Sequence, residues 1–295
     1  MQCECYSRWA ELPEGANRLF ALASQGSMFF TRPWLENLSA TGLDDGRATR
    51  LVCVVERDEV LAILPLMTAG GDTWYSLRHR YTSLFSLLLA DGDRERILAC
   101  LARGLCGLPV RALLLEPVGD DDSRIEALQR AMGAVGFDCR SSFRLYNWIY
   151  RVDGRSYADY FAERPARLRN TIARKKRKLQ REQGYDIRLF LGDEVPPAMA
   201  DYTAVYEASW KANEQYARFL DGVVAGFSDA GWSRLAVLSI KGEPAAAQLW
   251  FVVEGKANIF RLAYDEVWKH YSPGSILSSF LMERVIDTDK VTEID

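Results

Sequence analysis

Three apolar strand patterns follow one another near the end of the chain, and only two short turns separate them. The strands cover residues 235–240, 246–253 and 257–264. The turns, at 241–244 and 254–256, each contain a glycine, as tight hairpin connections usually do. Connections this short join antiparallel neighbours, because parallel strands need a crossover of a dozen residues or more. The pattern therefore predicts an antiparallel meander.

The chain is also long enough to hold a second core. Its 295 residues exceed the usual size of one domain, and 48% hydrophobic with 26% charged residues is an ordinary globular composition. Strand and helix patterns alternate through the first half, so this half is predicted to be α/β. The predicted strands there are 51–55, 60–67, 74–77, 84–90, 110–115 and 143–152. The predicted helices there are 13–22, 32–38, 93–105 and 121–135.

The composition changes near Asp153 and Gly154, which we take as the boundary between two domains. An N-terminal domain is expected to cover residues 1–152 and a C-terminal domain residues 153–295. In the second domain, the patterns outside the meander predict one early strand, helices before the meander, a helix after it and one terminal strand. These elements are a helix from 156 that restarts at Pro165, a strand at 185–191, helices at 196–213, 216–227 and 272–286, and a strand at 291–294.

The helix that restarts at Pro165 is strongly basic. Between residues 164 and 181 the charged residues are all basic: Arg164, Arg167, Arg169, Arg174, Lys175, Lys176, Arg177, Lys178 and Arg181. Apolar residues at helical spacing predict a narrow buried stripe, made of Phe161, Leu168, Ile172 and Leu179. The basic surface is suited to ligand phosphates or an anionic polymer, or is simply solvated. The whole chain has a net charge of −3, so any polyanion contact has to come from this local patch.

A helix pattern opens at Ser272, Pro273 and Gly274, soon after the last strand of the meander. Ser272 is a suitable N-cap, Pro273 lacks an N–H where the helix needs none, and Gly274 leaves room for a close ligand. The N–H groups and the dipole of a first helical turn attract phosphate. The same three residues are also an ordinary way to begin a helix, so this motif alone leaves both interpretations open.

In its wider context, the segment 245–287 resembles GNAT acyltransferases of the FemAB-like branch, the group that includes cellulose-biosynthesis-type acetyltransferases. Tyr264 and Asp265 end the meander as in that group, and Ser272, Pro273 and Gly274 open the helix. The basic helix and the Glu-Ala-Ser-Trp-Lys run at 207–211 resemble the same group. The resemblance covers about residues 155–295.

The resemblance implies two tandem GNAT-like domains, each a mixed, mostly antiparallel sheet flanked by helices. It also implies that the pyrophosphate of acetyl-CoA or another acyl-CoA lies on the loop that opens the helix. The matching positions are Tyr271, Ser272, Gly274, Ser275 and Ile276. The glycine-rich GNAT pattern is met only in part, because Tyr271 replaces its leading polar residue and Ile276 its final small one.

Related chains continue through another strand, helix and strand pair. The C-terminal domain is therefore expected either to be truncated at Asp295 or to lack these terminal elements, and a tyrosine that often protonates the leaving thiolate would lie in the missing part.

Candidate catalytic and acceptor-binding residues lie beside this loop. Asp265, Glu207 and Tyr264 are candidates for catalysis, since an amine or hydroxyl acceptor has to lose a proton. Asp265 can instead cap the turn, Glu207 can be solvated, and Tyr264 can pack in the sheet. Three further residues are candidates for binding the acceptor: Trp210, Lys211 and Arg261. Trp210 can instead pack in the core, where its position on the helix places it. Arg261 is expected either on the solvent face or bound to an anion.

Together these features predict an acyl-CoA-dependent N- or O-acyltransferase that acts directly on a sugar or a polysaccharide precursor. Two alternatives are a FemX-like peptidoglycan peptide transferase that uses aminoacyl-tRNA, and a non-catalytic binding module of exopolysaccharide assembly. Six cysteines without C-x-x-C spacing and two histidines indicate no metal site. No apolar stretch has the length of a membrane span, so a cytoplasmic protein is expected.

Overall fold

The computed structural model describes residues 1–211 and 214–295 and divides into two compact units, Met1–Tyr146 and Asn147–Asp295. Each unit is a β-sheet flanked by helices, which confirms the predicted mixed α/β fold. Each unit also buries a hydrophobic core of its own.

The first unit contains one sheet whose strands are mostly antiparallel. Its strands are β1 (Gln2–Tyr6), β2 (Ala48–Glu56), β3 (Glu59–Thr68), β4 (Thr73–Ser76), β5 (Leu88–Leu89) and β6 (Ala112–Leu114). Its helices are α1 (Ala16–Ser24), α2 (Arg32–Thr41), α3 (Arg94–Cys106) and α4 (Ser123–Ala134). The sheet order is β1-β2-β3-β4-β6, with β5 beside β3, and only the β4–β6 pair is parallel.

The hairpin of β2 and β3 confirms the strongest pattern of the first half. The strand predicted at 84–90 is wrong over most of its length, because only Leu88 and Leu89 pair with β3. Helix α3 begins where the sequence predicts, since the Asp93 side chain accepts a hydrogen bond from the N–H of Arg96. Its apolar face is buried on the sheet: Ile97, Leu98, Leu101, Ala102 and Leu105.

The second unit contains the meander and the basic helix. Its strands are β7 (Tyr150–Arg151), β8 (Asp186–Leu191), β9 (Ser233–Ile240), β10 (Glu243–Val253), β11 (Lys256–Tyr264) and β12 (Glu293–Ile294). Its helices are α5 (Tyr157–Glu163), α6 (Ala166–Glu182), α7 (Val195–Glu207), α8 (Ala217–Asp229) and α9 (Pro273–Glu283). The sheet order is β7-β12-β11-β10-β9-β8, and only the β11–β12 pair is parallel.

Two tight turns set the register of the meander β9-β10-β11 and confirm the sequence prediction. In the first turn Lys241 and Gly242 have φ angles of 54° and 85°, and in the second Glu254 and Gly255 have 47° and 73°. Two successive positive φ angles define the type I′ turn, whose twist matches that of the strands it joins. Glycine at the second position accepts such a φ angle without the strain that a Cβ would add.

The strand predicted at 143–152 is largely wrong. Only Tyr150 and Arg151 form strand β7, which pairs with β12. In the part of the chain that the structure describes, no strand lies beside residues 143–149, so their backbone has no ladder to join. The side chains of Phe143, Tyr146 and Trp148 are exposed.

The predicted restart of the helix at Pro165 is confirmed, because α5 ends at Glu163 and α6 begins at Ala166. Ile172 and Leu179 are buried as predicted. Leu168 is 44% exposed, so its predicted burial is wrong, and Phe161 is only half-buried. The stripe that docks α6 is therefore shorter than the sequence pattern indicates, and it centres on Leu179.

The helix predicted at 196–213 ends early. Helix α7 stops at Glu207, and Trp210 lies beyond it with 52% of its surface exposed, so the prediction of a core tryptophan is wrong. The core face of α7 consists of residues such as Tyr202 and Val205. The last two residues of the predicted helix, Ala212 and Asn213, lie outside the described residues.

Two leucines on α6 provide a matched test of how this helix docks. We expect Leu179→Ala to lower the free energy of unfolding by about 2–5 kcal/mol, because it opens a cavity in a core. Leu168→Ala on the same helix should change it by less than about 0.5 kcal/mol, because Leu168 is largely exposed. Urea unfolding followed by circular dichroism measures both values. Equal losses would contradict the docking described here.

Candidate functional site

The residues between β11 and α9 form a short 3-10 turn, Glu266–Tyr271, followed by a sharp change of direction. Asp265 begins this turn: its Oδ1 accepts a hydrogen bond from the N–H of Val267, and its own N–H donates to the carbonyl of Ala245. Asp265 therefore caps the turn, which is one of its two sequence interpretations. Its second carboxylate oxygen, Oδ2, accepts no hydrogen bond from the described residues.

Ser272 makes the change of direction. Its backbone is left-handed, with φ 57° and ψ 51°, and its side chain makes no capping hydrogen bond. The carbonyl of Ser272 instead accepts from the N–H groups of Ser275 and Ile276, at 3.1 and 3.2 Å. Within the described chain, the N–H of Gly274 makes no hydrogen bond. The first turn of α9 thus offers one free amide rather than the several that the sequence motif predicts.

The start of α9 is held in place by Gln248, which lies in the middle of β10 and is 1% exposed. Its Nε2 donates to the carbonyl of Gly274 at 2.9 Å and to Oγ of Ser278 at 2.8 Å. Its Oε1 accepts from Nε1 of Trp250 at 3.0 Å. Sequence reasoning missed Gln248, although a single amide in an otherwise apolar strand was the available signal, since buried polar groups require partners.

Gly274 lies against the ring of Tyr264. A Cβ at position 274 would come within 3.3 Å of Cδ1 of Tyr264, so a larger residue there requires the ring to move by a few tenths of an ångström. The ring of Tyr264 in turn packs on the indole of Trp210, with ring centroids 4.6 Å apart. The structure thus brings together three residues that the sequence placed in different roles, and Trp210 keeps 52% of its surface exposed.

Lys211 lies at the edge of β11 beside this aromatic pair. Its Nζ donates to the carbonyl of Leu262 and lies 5.6 Å from the ring centroid of Trp210. Burial lowers the pKa of this ammonium group from its ordinary value, and the positive charge of Arg261 lowers it further.

Arg261 itself is buried, with 9% exposure, and it does not lie on the solvent face. Its guanidinium forms an ion pair with Glu214, and its Nε donates to the hydroxyl of Tyr202 at 3.2 Å. The anion that the sequence analysis left open is therefore a carboxylate of the protein. The hydrogen bond to Tyr202 joins the strand to helix α7, and the buried ion pair with Glu214 leaves no free cation at this position.

Glu207 is exposed at the end of α7, and its carboxylate makes no hydrogen bond to the described residues. The backbone that follows α7 approaches the 3-10 turn, because the N–H of Glu266 donates to the carbonyl of Ala208 at 3.4 Å. Glu207 is thus the neighbour in sequence of Ala208, whose carbonyl contacts the turn that Asp265 begins.

Two of the predicted loop residues are buried. Ile276 is 0% exposed and Tyr271 is 4% exposed. The hydroxyl of Tyr271 donates to Oε2 of Glu182 at 3.1 Å and accepts from Nε2 of Gln183 at 3.2 Å. These two side chains fasten the loop to α6 and the core, whereas Ser275 is exposed.

The edge of β11 that faces away from β10 is paired only at its start. β12 pairs with β11 only at Lys256 and Ala257, and the N–H of Ile259 donates to the carbonyl of Asp295. The register of β10 and β11 shifts at Phe260, which has no opposing residue and forms a bulge. Along residues 260–264 no strand of the described chain pairs with this side of β11.

One family model matches part of the chain. Residues 166–295 match the family described as an acetyltransferase (GNAT) domain. The match lies within the second unit, which over these residues is similar to GNAT acetyltransferase domains. In the sequence comparison, no curated protein matches the chain.

Solved structures resemble the chain over nearly all of its length. FemX has a TM-score of 0.65 at 10% identity, covering 95% of this chain and 86% of that chain. A conserved protein of unknown function from Bacteroides thetaiotaomicron has 0.55 at 10%, covering 94% and 85%. The C-terminal domain of a putative lysylphosphatidylglycerol synthetase from Agrobacterium fabrum has 0.53 at 12%, covering 95% and 77%. At these identities the likeness concerns the fold alone.

Two further findings concern residues 1–211 and 214–295. No helix there is both long and apolar enough to cross a membrane. Across the same two ranges, no group of three or more His, Cys, Asp and Glu side chains is arranged to hold a metal ion.

The buried amide of Gln248 is open to a direct test. We expect Gln248→Leu to lower the free energy of unfolding by about 1–3 kcal/mol, because it leaves Nε1 of Trp250 buried without its acceptor. Gln180→Leu is the matched control: Gln180 is exposed on α6, and its replacement should cost less than about 0.5 kcal/mol. Chemical denaturation measures both. A cost for Gln248→Leu no larger than for the control would contradict the anchoring role.

Proposed function

We propose that the chain is an acyl-CoA-dependent acyltransferase that moves an acetyl or other acyl group to an amine or hydroxyl. The acceptor in this proposal is a sugar or a polysaccharide precursor. The observation that carries the proposal is the start of α9, where the N–H of Gly274 is free and Gln248 fixes the carbonyl of the same residue. A preorganised amide of this kind suits the phosphate of an acyl donor.

The open edge of β11 supports the same donor. Along residues 260–264 no strand of the described chain pairs with this edge, so an extended ligand can lie beside it, next to Lys211, which already bonds the carbonyl of Leu262. The pantetheine arm of an acyl-CoA is extended and contains amide groups of the required kind. The bulge at Phe260 lies in the same stretch of the strand.

The chemistry requires no covalent intermediate with the protein. The acceptor nitrogen or oxygen attacks the thioester carbon, the tetrahedral intermediate collapses, and the carbon–sulfur bond breaks to release CoA thiolate. The acceptor proton leaves to a base. Among the proposed catalytic residues, Asp265 has a free carboxylate oxygen beside the loop and Glu207 a free carboxylate near it, while the hydroxyl of Tyr264 can donate a hydrogen bond.

The acceptor is proposed to lie on Trp210 and Lys211. The exposed face of an indole offers a flat apolar surface to one face of a sugar ring, and it loses little conformational entropy on binding. Lys211 supplies a nearby cation whose pKa is lowered by burial. Arg261 would act indirectly in this arrangement, by holding the strand under Lys211, because its own guanidinium is paired with Glu214.

A second candidate is a FemX-like transferase that uses aminoacyl-tRNA to extend a peptidoglycan peptide. The similarity to the fold of FemX and the basic surface of α6 favour it. The two candidates predict different donors, so titration of the protein with acetyl-CoA and with charged tRNA separates them.

Substitution of Gly274 tests the acyl-CoA proposal most sharply. We expect Gly274→Val to abolish acetyl-CoA binding, because the added side chain presses on Tyr264 and crowds the free N–H of Gly274 that the donor phosphate would bind. Ser275→Ala should reduce affinity by less than about tenfold, since its backbone is unchanged. Isothermal titration calorimetry with acetyl-CoA measures the affinity of each variant and of the parent chain.

The melting temperature of each variant is the control for folding. If Gly274→Val keeps a melting temperature close to that of the parent chain and binds acetyl-CoA as tightly, the loop only begins a helix. If the parent chain binds charged tRNA but not acetyl-CoA, the FemX-like candidate replaces the proposal.

A further inference from the structure

The backbone that follows α7 is held in a hydrogen-bonded turn. The N–H of Ser209 donates to the carbonyl of Tyr206 at 3.2 Å, and Oγ of Ser209 donates to the same carbonyl at 2.6 Å. The N–H of Lys211 in turn donates to Oγ of Ser209 at 3.3 Å. Trp210 packs on Tyr264, and 52% of its surface stays exposed. The turn therefore presents Trp210 and Lys211 side by side on a backbone with a defined conformation.

Two cations border the ring of Tyr206 at the end of α7. The guanidinium carbon of Arg261 lies 5.1 Å from the centroid of this ring, and Nζ of Lys211 lies 5.7 Å from it. Arg261 is paired with the carboxylate of Glu214. Nζ of Lys211 donates instead to a neutral acceptor, the carbonyl of Leu262. One of the two cations therefore has no carboxylate partner in the described chain.

The other carboxylates around Lys211 do not balance its charge. Glu207 is exposed and forms no ion pair with the described residues, and Glu266 pairs with Lys269 at 3.3 Å. A half-buried ammonium group without a counter-ion has a desolvation cost that an anionic ligand would offset. Burial lowers the pKa of Lys211, and the charge of Arg261 lowers it further, as expected for a cation with no carboxylate beside it.

The donor of the proposed reaction does not supply this counter-ion. Its phosphates are placed at the first turn of α9, and the pantetheine arm that is proposed to lie beside β11 carries no charge. Leu262, whose carbonyl Lys211 bonds, belongs to the open stretch of that strand, residues 260–264. The anion at Lys211 therefore has to come from the acceptor.

We propose that the acceptor held by Trp210 and Lys211 is an acidic sugar, whose ring lies on the indole and whose anionic substituent binds the ammonium group. Nζ of Lys211 lies 5.6 Å from the ring centroid of Trp210, so both contacts are within the span of one sugar unit. An indole packs on the apolar face of a sugar ring whether or not the sugar is charged, whereas an ammonium group distinguishes an anionic substituent from a neutral one.

The inference rests on the proposed function for the presence of a sugar acceptor, and it adds the charge of that sugar. The anionic group can be the carboxylate of a uronic acid or the phosphate of a sugar phosphate. Both accept charge-assisted hydrogen bonds from an ammonium group, so the experiment includes one probe of each kind.

The test is NMR titration of the full chain with methyl glucoside and methyl glucuronide, which differ only in a carboxylate, and with glucose 6-phosphate. We expect the parent chain to bind one of the anionic probes about tenfold more tightly than methyl glucoside, because a charge-assisted hydrogen bond is added. The tighter of the two anionic probes identifies the source of the anion.

Four variants assign this preference to its residue. Lys211→Met keeps the length of the side chain and removes its charge, so the preference should fall to less than about twofold, whereas Lys211→Arg should keep a preference. Trp210→Ala should weaken neutral and anionic probes alike and leave their ratio unchanged. Lys241→Met is the matched control: Lys241 is an exposed lysine in the turn between β9 and β10, and its replacement should change neither affinity. The melting temperature of each variant checks folding.

Equal affinity of the parent chain for the neutral and the anionic probes would overturn the proposal, as would the absence of any sugar binding. A preference that Lys211→Met leaves in place, or that Lys241→Met removes to the same extent, would overturn it too. If Lys211→Met slows acyl transfer to neutral and acidic sugars alike without changing their affinities, the ammonium group stabilises the oxyanion of the reaction instead, and the proposal is wrong.

Failure of the proposed function gives a different result. In that case the parent chain transfers no acyl group from acetyl-CoA to any of the probes, while its preference for anionic sugars still depends on Lys211. Failure of this inference alone leaves acyl transfer to a neutral sugar, and its dependence on Gly274, intact.

Discussion

The side chain of Gln248 joins the middle strand of the C-terminal meander to the first turn of α9, and the geometry of the candidate site depends on this contact. One amide bonds the carbonyl of Gly274, the hydroxyl of Ser278 and the indole N–H of Trp250. Because leaving such groups buried and unpaired costs about 1–3 kcal/mol each, the helix cannot slide along the strand without losing several contacts at once. The position of the loop before α9 relative to the sheet is therefore fixed.

A second set of contacts fixes the same loop from the other side. The hydroxyl of Tyr271 bonds the end of α6, and Lys175 bonds the carbonyl of His270. The lysines of the basic helix therefore contact the loop and α9, whereas Arg167 and Arg174 on the same helix form no ion pair with the described residues.

The sequence predicts those elements whose cause is local. The type I′ turns at Gly242 and Gly255 follow from the short spacing between the strand patterns and from glycine at the second turn position, and they determine the meander. The position of the loop after Tyr264 follows from the same strands. The buried leucine of α6, Leu179, was predicted by periodicity, but the same periodicity wrongly included Leu168. Periodicity gives the direction of a side chain, and it does not say where the neighbouring core ends.

The features that could not be predicted depend on contacts between distant residues. Gln248 and Gly274 are far apart in sequence, and nothing local indicates that the amide of one would bond the carbonyl of the other. The partner of Arg261 is likewise Glu214, which belongs to another part of the chain. Trp210 was expected in the core because its spacing continues α7, but the helix ends three residues earlier. The strand predicted at 143–152 had the right composition and lacked a partner along most of its length.

Hydrogen–deuterium exchange of the full chain, with and without coenzyme A, tests most directly whether the donor binds where β11 meets α9. The account predicts slower exchange on binding in peptides that cover residues 260–278, because the free amide of Gly274 and the open edge of β11 become hydrogen-bonded. Peptides from β8 and β9 should exchange at unchanged rates. Protection that is absent from 260–278 at saturating coenzyme A, or that appears only in other segments, would contradict the account.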